Sequence, residues 1–414
     1  MIEQSLGKNY SQFVNVLIFI FPILINSVKV GGDIVLFILA MMGIFIAISQ
    51  KLSPFSIKDI KVFSYLTIGY FISVCLSVLF SGQAAELAHY IPRDFYFLFA
   101  PFIALALYKA EINLNYLLTG TKVALLILGI ILFMGNSYFL INNGEGAVMR
   151  YCGVMNCAVF ANLAVSMFFI VFIFFQHESS KHKVFTLLSL VSGIYIIVTA
   201  ETRGAWLSML LLIGINAYFF YRKQNITRKN FKIIMLIAFV LISAGVSNQL
   251  IKDRVNIGYQ NISNWMSGDR TMNAVSLRLG MYEKAIDNIE NVPFFGHGYR
   301  TSNIVLFQNE SSPLGKEIVG YNHLHNAYLT NYYNGGFVLL GALLLILFAP
   351  LRIFLKANSQ DRKNPIFISG ALLTLGYISF GIVNILLGDT YMNGFYVFFL
   401  CIFLLQANKS IGKP

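Results

Sequence analysis

The sequence predicts an all-α polytopic integral membrane protein of about 12 transmembrane helices, with one large, partly helical loop on the outer side. Three observations predict it. Of 414 residues, 57% are hydrophobic and only 12% charged, more apolar surface than a globular core absorbs but natural for helices that face lipid. The apolar residues gather in runs long enough to cross a bilayer. Lys and Arg collect in alternate connections, as the positive-inside rule requires. The 38 Phe and 22 Tyr suit rings that face acyl chains or sit at headgroup level.

The first run, 13–28, lacks a strongly basic start and a small-residue cleavage site, so it reads as a retained span rather than a signal peptide. Runs at 33–49, 62–80, 95–108 and 116–135 follow. The fourth is short, and the fifth carries Lys122, whose ammonium can snorkel towards the cytoplasmic face. Runs at 153–175, 184–200, 204–221 and 231–247 complete an N-terminal group of nine within residues 1–247. Residues 248–335 form the large loop. Residues 336–414 hold the last three spans, near 336–355, 366–387 and 391–406.

With the N-terminus in the cytoplasm, 18 of the 30 Lys and Arg fall in cytoplasmic segments, and the short outer loops hold only Lys29, Arg93, Arg150 and Arg203. The large loop holds seven basic and seven acidic residues. The net charge of +12 is therefore mainly a topology signal. No basic stripe is interleaved with stacking aromatics, which argues against a nucleic-acid partner. Cys75 and Cys401 lie inside apolar runs. Cys152 and Cys157 have an offset that does not bring them together on a helix, and no zinc-type spacing is present, so all four read as buried structural thiols.

The loop is too long for a plain connector. Leu279, Tyr282, Ile286 and Ile289 repeat at helical spacing and Pro293 follows them, which predicts a helix. A second short helix is expected from Asn326 to Tyr333, closed by Gly335-Gly336 before the next span. No internal repeat of fixed period is visible.

Three polar constellations fall on the outer face: Glu201-Thr202-Arg203-Gly204-Ala205-Trp206, Ser276-Leu277-Arg278-Leu279, and Tyr321-Asn322-His323-Leu324-His325-Asn326-Ala327-Tyr328. Singly, each has a plain reading: Arg203 an interfacial anchor, Arg278 a solvated helix residue, the histidines structural. His323 and His325 lack a firmly placed third ligand, so neither a metal nor a cofactor is expected. Jointly they suit a different chemistry. Arginine keeps its proton and grips phosphate through two parallel bonds, so two arginines at the outer lipid surface suit a lipid-linked pyrophosphate. Arg278, near a helix start, can add backbone N–H groups to such a site. A histidine titrates near neutrality and can take a proton from an attacking hydroxyl.

The chain resembles the O-antigen ligase and polymerase superfamily of bacterial inner-membrane proteins. The resemblance rests on Thr202-Arg203-Gly204-Ala205-Trp206, Ser276-Leu277-Arg278-Leu279, Gly296-His297-Gly298-Tyr299 and His325-Asn326-Ala327-Tyr328-Leu329 followed by Gly335-Gly336-Phe337. It extends to the architecture, with a large periplasmic loop in the C-terminal half. It implies a metal-independent, inverting glycosyltransferase of the inner membrane that moves a glycan from undecaprenyl pyrophosphate to lipid A-core at the periplasmic face. By position, His325 would be the general base, and Arg203 and Arg278 would hold the departing pyrophosphate. Asp389, in the short turn before the last span, is a lesser candidate for acceptor contacts. His323, Asn326 and Tyr321 would shape the site, with His323 the rival for the base.

Two other readings compete. A polymerase of the same superfamily would use the same donor, but the short loop near 136–152 favours a ligase. A 12-span transporter would place polar groups near the midplane and show repeat symmetry, whereas here the polar constellations lie at one face.

Overall fold

The computed structural model describes residues 2–80, 91–143, 152, 154–222, 249–384 and 386–411. The described chain is helical with no strands, and ten of its helices are long and apolar enough to cross a membrane. They correspond to the first seven and last three expected runs. The eighth expected run appears as a shorter apolar stretch, Arg203–Phe219. The ninth, 231–247, lies outside the described residues.

The first five spans are α1 (Ile2–Ser27), α2 (Gly31–Ser49), α3 (Lys58–Phe80), α4 (Phe95–Lys109) and α5 (Leu114–Asn143). Glycine lets two of them approach others closely. A Cβ on Gly43 of α2 would fall 1.8 Å from the Phe102 carbonyl oxygen of α4, and one on Gly120 of α5 would fall 2.1 Å from that of Phe19 in α1. Such small-residue contacts stand in for a hydrophobic driving force that lipid cannot supply. Next come α6 (Cys157–Phe174), α7 (Ser180–Thr199) and α8 (Arg203–Arg222). The last spans are α13 (Ala327–Gln360), α14 (Pro365–Val383) and α15 (Thr390–Ile411), reached after four shorter helices of the loop. The most enclosed spans are α6, α14 and α15, and they form the centre of the bundle.

Two sequence expectations change here. Lys122 does not simply reach for water, because its ammonium pairs with Glu178, which also accepts from Thr186 Oγ1. A charge inside a span is costly unless paired, and Glu178, just before α7, supplies the partner. Cys152 and Cys157 are not separate thiols but a disulfide, with Cα atoms 4.9 Å apart. Helical spacing would keep the two sulfurs apart, but the two residues do not share a helix. Only Cys157 is helical, at the first turn of α6, and Cys152 lies in the chain leading to it.

Four helices build the loop: α9 (Gln249–Met266), α10 (Ala274–Asp287), α11 (Ser302–Phe307) and α12 (Pro313–Val319). The last three enclose a small core of their own around Met281, Ala285, Leu306, Phe307, Ile318, Leu324 and Tyr333.

The feature that positions everything else is a break in α13. Gly335 and Gly336 leave helical geometry, the latter at φ +59. The arm before the break, Ala327–Asn334, crosses between two spans. At one end Asn326 Nδ2 donates to the Ile382 carbonyl (3.0 Å) and Tyr328 Oη to that of Ile378 (2.8 Å), both on α14. Towards the other, Tyr70 of α3 donates to Asn331 (3.4 Å) and Ser77 of α3 to the Asn334 carbonyl (2.5 Å). Irregular backbone at this depth must find partners in protein, and the loop provides them. His297 N–H donates to the Tyr333 carbonyl (2.8 Å), Gly298 N–H to that of Asn334 (3.0 Å), and Phe337 N–H to that of Phe294 (3.1 Å).

Candidate functional site

His325 sits at the start of this arm with a left-handed backbone, φ +50, a conformation that costs a non-glycine residue about 1–3 kcal/mol unless its surroundings impose it. They do. Tyr282 Oη on α10 donates to the His325 carbonyl (2.9 Å), and Asn303 Nδ2 on α11 to that of His323 (3.1 Å). Leu324 N–H donates to Thr330 Oγ1 (3.0 Å), with the Leu324 side chain fully buried. Asn326 caps the arm, its Oδ1 accepting from Tyr328 and Leu329 N–H at 3.0 Å each. The His-Asn-Ala-Tyr-Leu run is thus a turn and a cap that fix the direction of one imidazole.

Around that imidazole gather several of the residues singled out in the sequence. The His323 ring is 4.4 Å from it, centroid to centroid, and the Tyr321 ring 5.5 Å. Nδ1 of His323 is bonded to Asn322 Oδ1 (2.9 Å). Arg278 is close enough for its charge to act on both histidines. Burial, then His323 and Arg278, push His325 down to about 3, while the Asn384 side chain at the ring pulls the other way. Burial and Arg278 likewise push His323 down to about 4. Both rings are therefore neutral at physiological pH and able to accept a proton. Two atoms here, Nε of Arg278 and Nδ1 of His325, are buried with no hydrogen-bond partner among the described residues. An unmet buried polar atom costs about 1–3 kcal/mol, so each of these two calls for a partner.

Arg278 stands in the second turn of α10. Asn273 caps that helix, its Oδ1 accepting from Val275 N–H (2.9 Å) and Ser276 N–H (3.0 Å). These amides are already satisfied, which corrects the expectation that the start of this helix offers them to a ligand.

Arg203 opens α8, the helix whose first turn packs on the end of α14. A Cβ on Gly204 would lie 2.6 Å from Val383 Cγ2, so Gly204 sets α8 against the residue preceding Asn384. The rest of the run is local carpentry: Glu201 is left-handed at φ +46, Thr202 Oγ1 donates to the Ala200 carbonyl (3.0 Å), and Trp206 Nε1 to that of Ile197 (2.9 Å). Beyond it the Arg203 guanidinium lies over α9, where a Cβ on Gly258 would fall 2.5 Å from Nη1.

The Gly296-His297-Gly298-Tyr299 run docks the loop on the break. Gly296 (φ +73) has no room for a Cβ, which would fall 2.4 Å from Gly335 N. Tyr299 Oη reaches into the bundle and donates to Asp94 Oδ2 (2.8 Å), a fully buried carboxylate just before α4 that Asn393 of α15 also contacts (3.4 Å).

Asp389 is not drawn to the histidines by any contact among the described residues. It caps α15, accepting from Tyr391 N–H (3.0 Å) and Met392 N–H (3.2 Å), and burial raises its carboxyl above the usual range. Three participants escaped the sequence reading. Asn384 is a single polar residue after an apolar span, Gly258 a glycine in a polar helix, and Asp94 an acid beside an arginine. None belongs to a spacing pattern that would distinguish it.

Residues 187–347 match the family model described as O-antigen ligase. A protein of Haemophilus influenzae described as uncharacterized is 25% identical over 362 residues, covering 84% of this chain and 86% of that one. The family match spans Arg203, Arg278, the loop docked on the helix break, His325 and the break itself, so the C-terminal half of the chain is similar to the O-antigen ligase family.

Proposed function

We propose that this protein is an O-antigen ligase: a metal-independent, inverting glycosyltransferase that moves a glycan from undecaprenyl pyrophosphate to lipid A-core. The observation that carries this reading is the pair of unpartnered buried atoms, Arg278 Nε and His325 Nδ1, with the Arg278 charge acting on the His325 ring. A guanidinium edge awaiting an anion and an imidazole awaiting a proton are what the reaction asks for. His325 takes the proton of the acceptor hydroxyl as its oxygen attacks the anomeric carbon. The bond from that carbon to the pyrophosphate breaks on the opposite face, inverting the configuration. Arg278 and Arg203 stabilise the charge that gathers on the leaving pyrophosphate, a contribution of about 2.7–4 kcal/mol for one well-placed donor in comparable sites.

The electrostatics support an order of events. Burial, then His323, then the unanswered charge of Arg278 depress the basicity of His325. A bound pyrophosphate neutralises that charge, and the histidine becomes a stronger base only once the donor is in place. Tyr321 and His323 offer flat faces beside the imidazole for the acceptor sugar, and Asn326 holds the turn. Asp389, as a cap on α15, is left a part in shaping that helix rather than in touching acceptor. The disulfide supports placing this face in the periplasm of a multipass inner-membrane protein, because such bonds persist in oxidising compartments.

The test reconstitutes purified protein in lipid with an undecaprenyl-pyrophosphate-linked glycan and two acceptors, lipid A-core and a second lipid-linked repeat. Glycan on the core is expected. A lengthened lipid-linked chain makes the protein a polymerase instead, and uptake into vesicles without a covalent product makes it a transporter. Full activity should survive a chelator; loss of transfer on chelation, restored by a divalent cation, sinks the metal-free mechanism.

A further inference from the structure

We infer that the base of the loop is seated in the outer leaflet, with Phe294 and Phe295 at the acyl–headgroup boundary of zwitterionic lipid. This rests on the packing of aromatic rings and is independent of the catalytic reading.

Three chain segments, remote in sequence, bring large apolar side chains to one outward-facing patch. Phe80 is the last residue of α3, Phe337 opens the span that follows the helix break, and Phe294 belongs to the loop. They are 62%, 58% and 61% exposed. Phe295 stacks on Phe80 with centroids 4.2 Å apart and planes 12° from parallel, Phe294 lies 6.2 Å from Phe337, and Phe337 meets Tyr332 edge-on at 5.1 Å. Ile286 of α10 and Ile289 just beyond it are exposed as well.

A contiguous apolar patch of this kind has to be covered by something. What covers it follows from its continuity with the bundle: two of its three exposed rings are the outer ends of membrane-crossing helices, so the bilayer boundary passes through the patch. Aromatic rings favour that depth. The charges that flank it, Asp287 and Glu290, are acidic and exposed, and the neighbouring Lys284 is bonded to Glu310 (2.6 Å). Among the described residues these flanking groups offer an anionic headgroup no unpaired cation, which is why the occupant is a zwitterionic interface. The seat is also stiff. Phe294 and Phe337 are joined by a backbone hydrogen bond, and a Cβ on Gly336 would collide with the Phe294 carbonyl at 1.9 Å. The height of the loop in the membrane therefore sets the height of the arm that begins at His325.

A nitroxide placed by Phe294→Cys, in full-length protein with Cys75→Ser and Cys401→Ser, tests this in phosphatidylcholine nanodiscs. Asn309→Cys, at an exposed polar turn of the same loop, is the water-facing control. Relaxation by oxygen should exceed relaxation by a water-soluble nickel chelate at position 294, with the reverse order at 309. Equal access of the chelate to both positions overturns the inference. So does protection from both reagents accompanied by dipolar broadening, which would put a second copy of the chain on the patch. Should the cysteine variant fold poorly, Phe294→Trp read against the parent protein with brominated phosphatidylcholine provides the same decision: quenching of the added fluorescence is expected, and its absence is fatal.

Discussion

At His325, the backbone is confined. The left-handed turn, the Tyr282 bond to its carbonyl and the Asn326 cap leave the ring one direction to face. Replacing it with alanine should cut transfer by about a hundredfold or more, the usual range for a general base, whereas His323→Ala should leave a measurable rate in matched membranes. The reverse pattern would move the base to His323. The acid limb carries a second expectation. An ordinary histidine loses half its basic form near pH 6.5, but burial, His323 and Arg278 push His325 down to about 3. Its neutral form is thus retained as the pH falls through 6.5, and kcat/KM for the donor should stay level between about pH 5 and 7. Arg278→Gln removes one depressing charge and should move the limb of the residual activity upward, which a pH series on the variant would read. Gly258 gives a third. An alanine there meets Arg203 Nη1, the far end of a flexible side chain, so the fold survives while the guanidinium moves. A loss on the order of tenfold to a hundredfold is expected, and it should vanish in an Arg203→Ala background. Additive losses would mean that Gly258 acts elsewhere.

At the scale of elements, the decisive unit is the broken α13. The sequence showed a short helix from Asn326, glycines after it and a span beyond. In the structure that helix runs from Ala327 under an Asn326 cap, and Gly335-Gly336 depart from helical geometry. What it did not show is where the freed backbone groups go, because the partners at 294–298 lie some forty positions away in the chain, and a hydrogen bond between distant loops leaves no periodicity to read. The glycine pair carries the prediction. Gly336 has φ +59, and a Cβ there meets the Phe294 carbonyl at 1.9 Å. Gly336→Ala should therefore cost at least about 1–3 kcal/mol for the backbone alone, read as a fall in the unfolding temperature of purified protein in detergent. Unchanged stability would show that the loop docks in some other way.

Across the whole molecule, hydropathy and charge were the legible part. Ten of the expected runs reappear as helices able to cross a membrane, since a bilayer imposes length and composition span by span. How those spans pack was not legible. The Lys122–Glu178 pair and the Tyr299–Asp94 bond each join residues that composition alone leaves unrelated. The cysteines were read through helical spacing, and the disulfide appeared because Cys152 is not helical. It follows that denatured, unreduced protein should expose two reactive thiols, Cys75 and Cys401, and reduced protein all four. A maleimide mass shift counts them, and four without reductant would dismiss the bridge.

The backbone bonds between residues 294–298 and the break in α13 also bear on inheritance. A segment that completes the hydrogen bonding of another cannot be exchanged without it. Chimeras with relatives that swap the loop alone would strand the carbonyls of Tyr333 and Asn334, whereas a cassette from Pro293 to Phe337 carries its own complement. Natural recombination among such genes should leave its crossover points outside that interval.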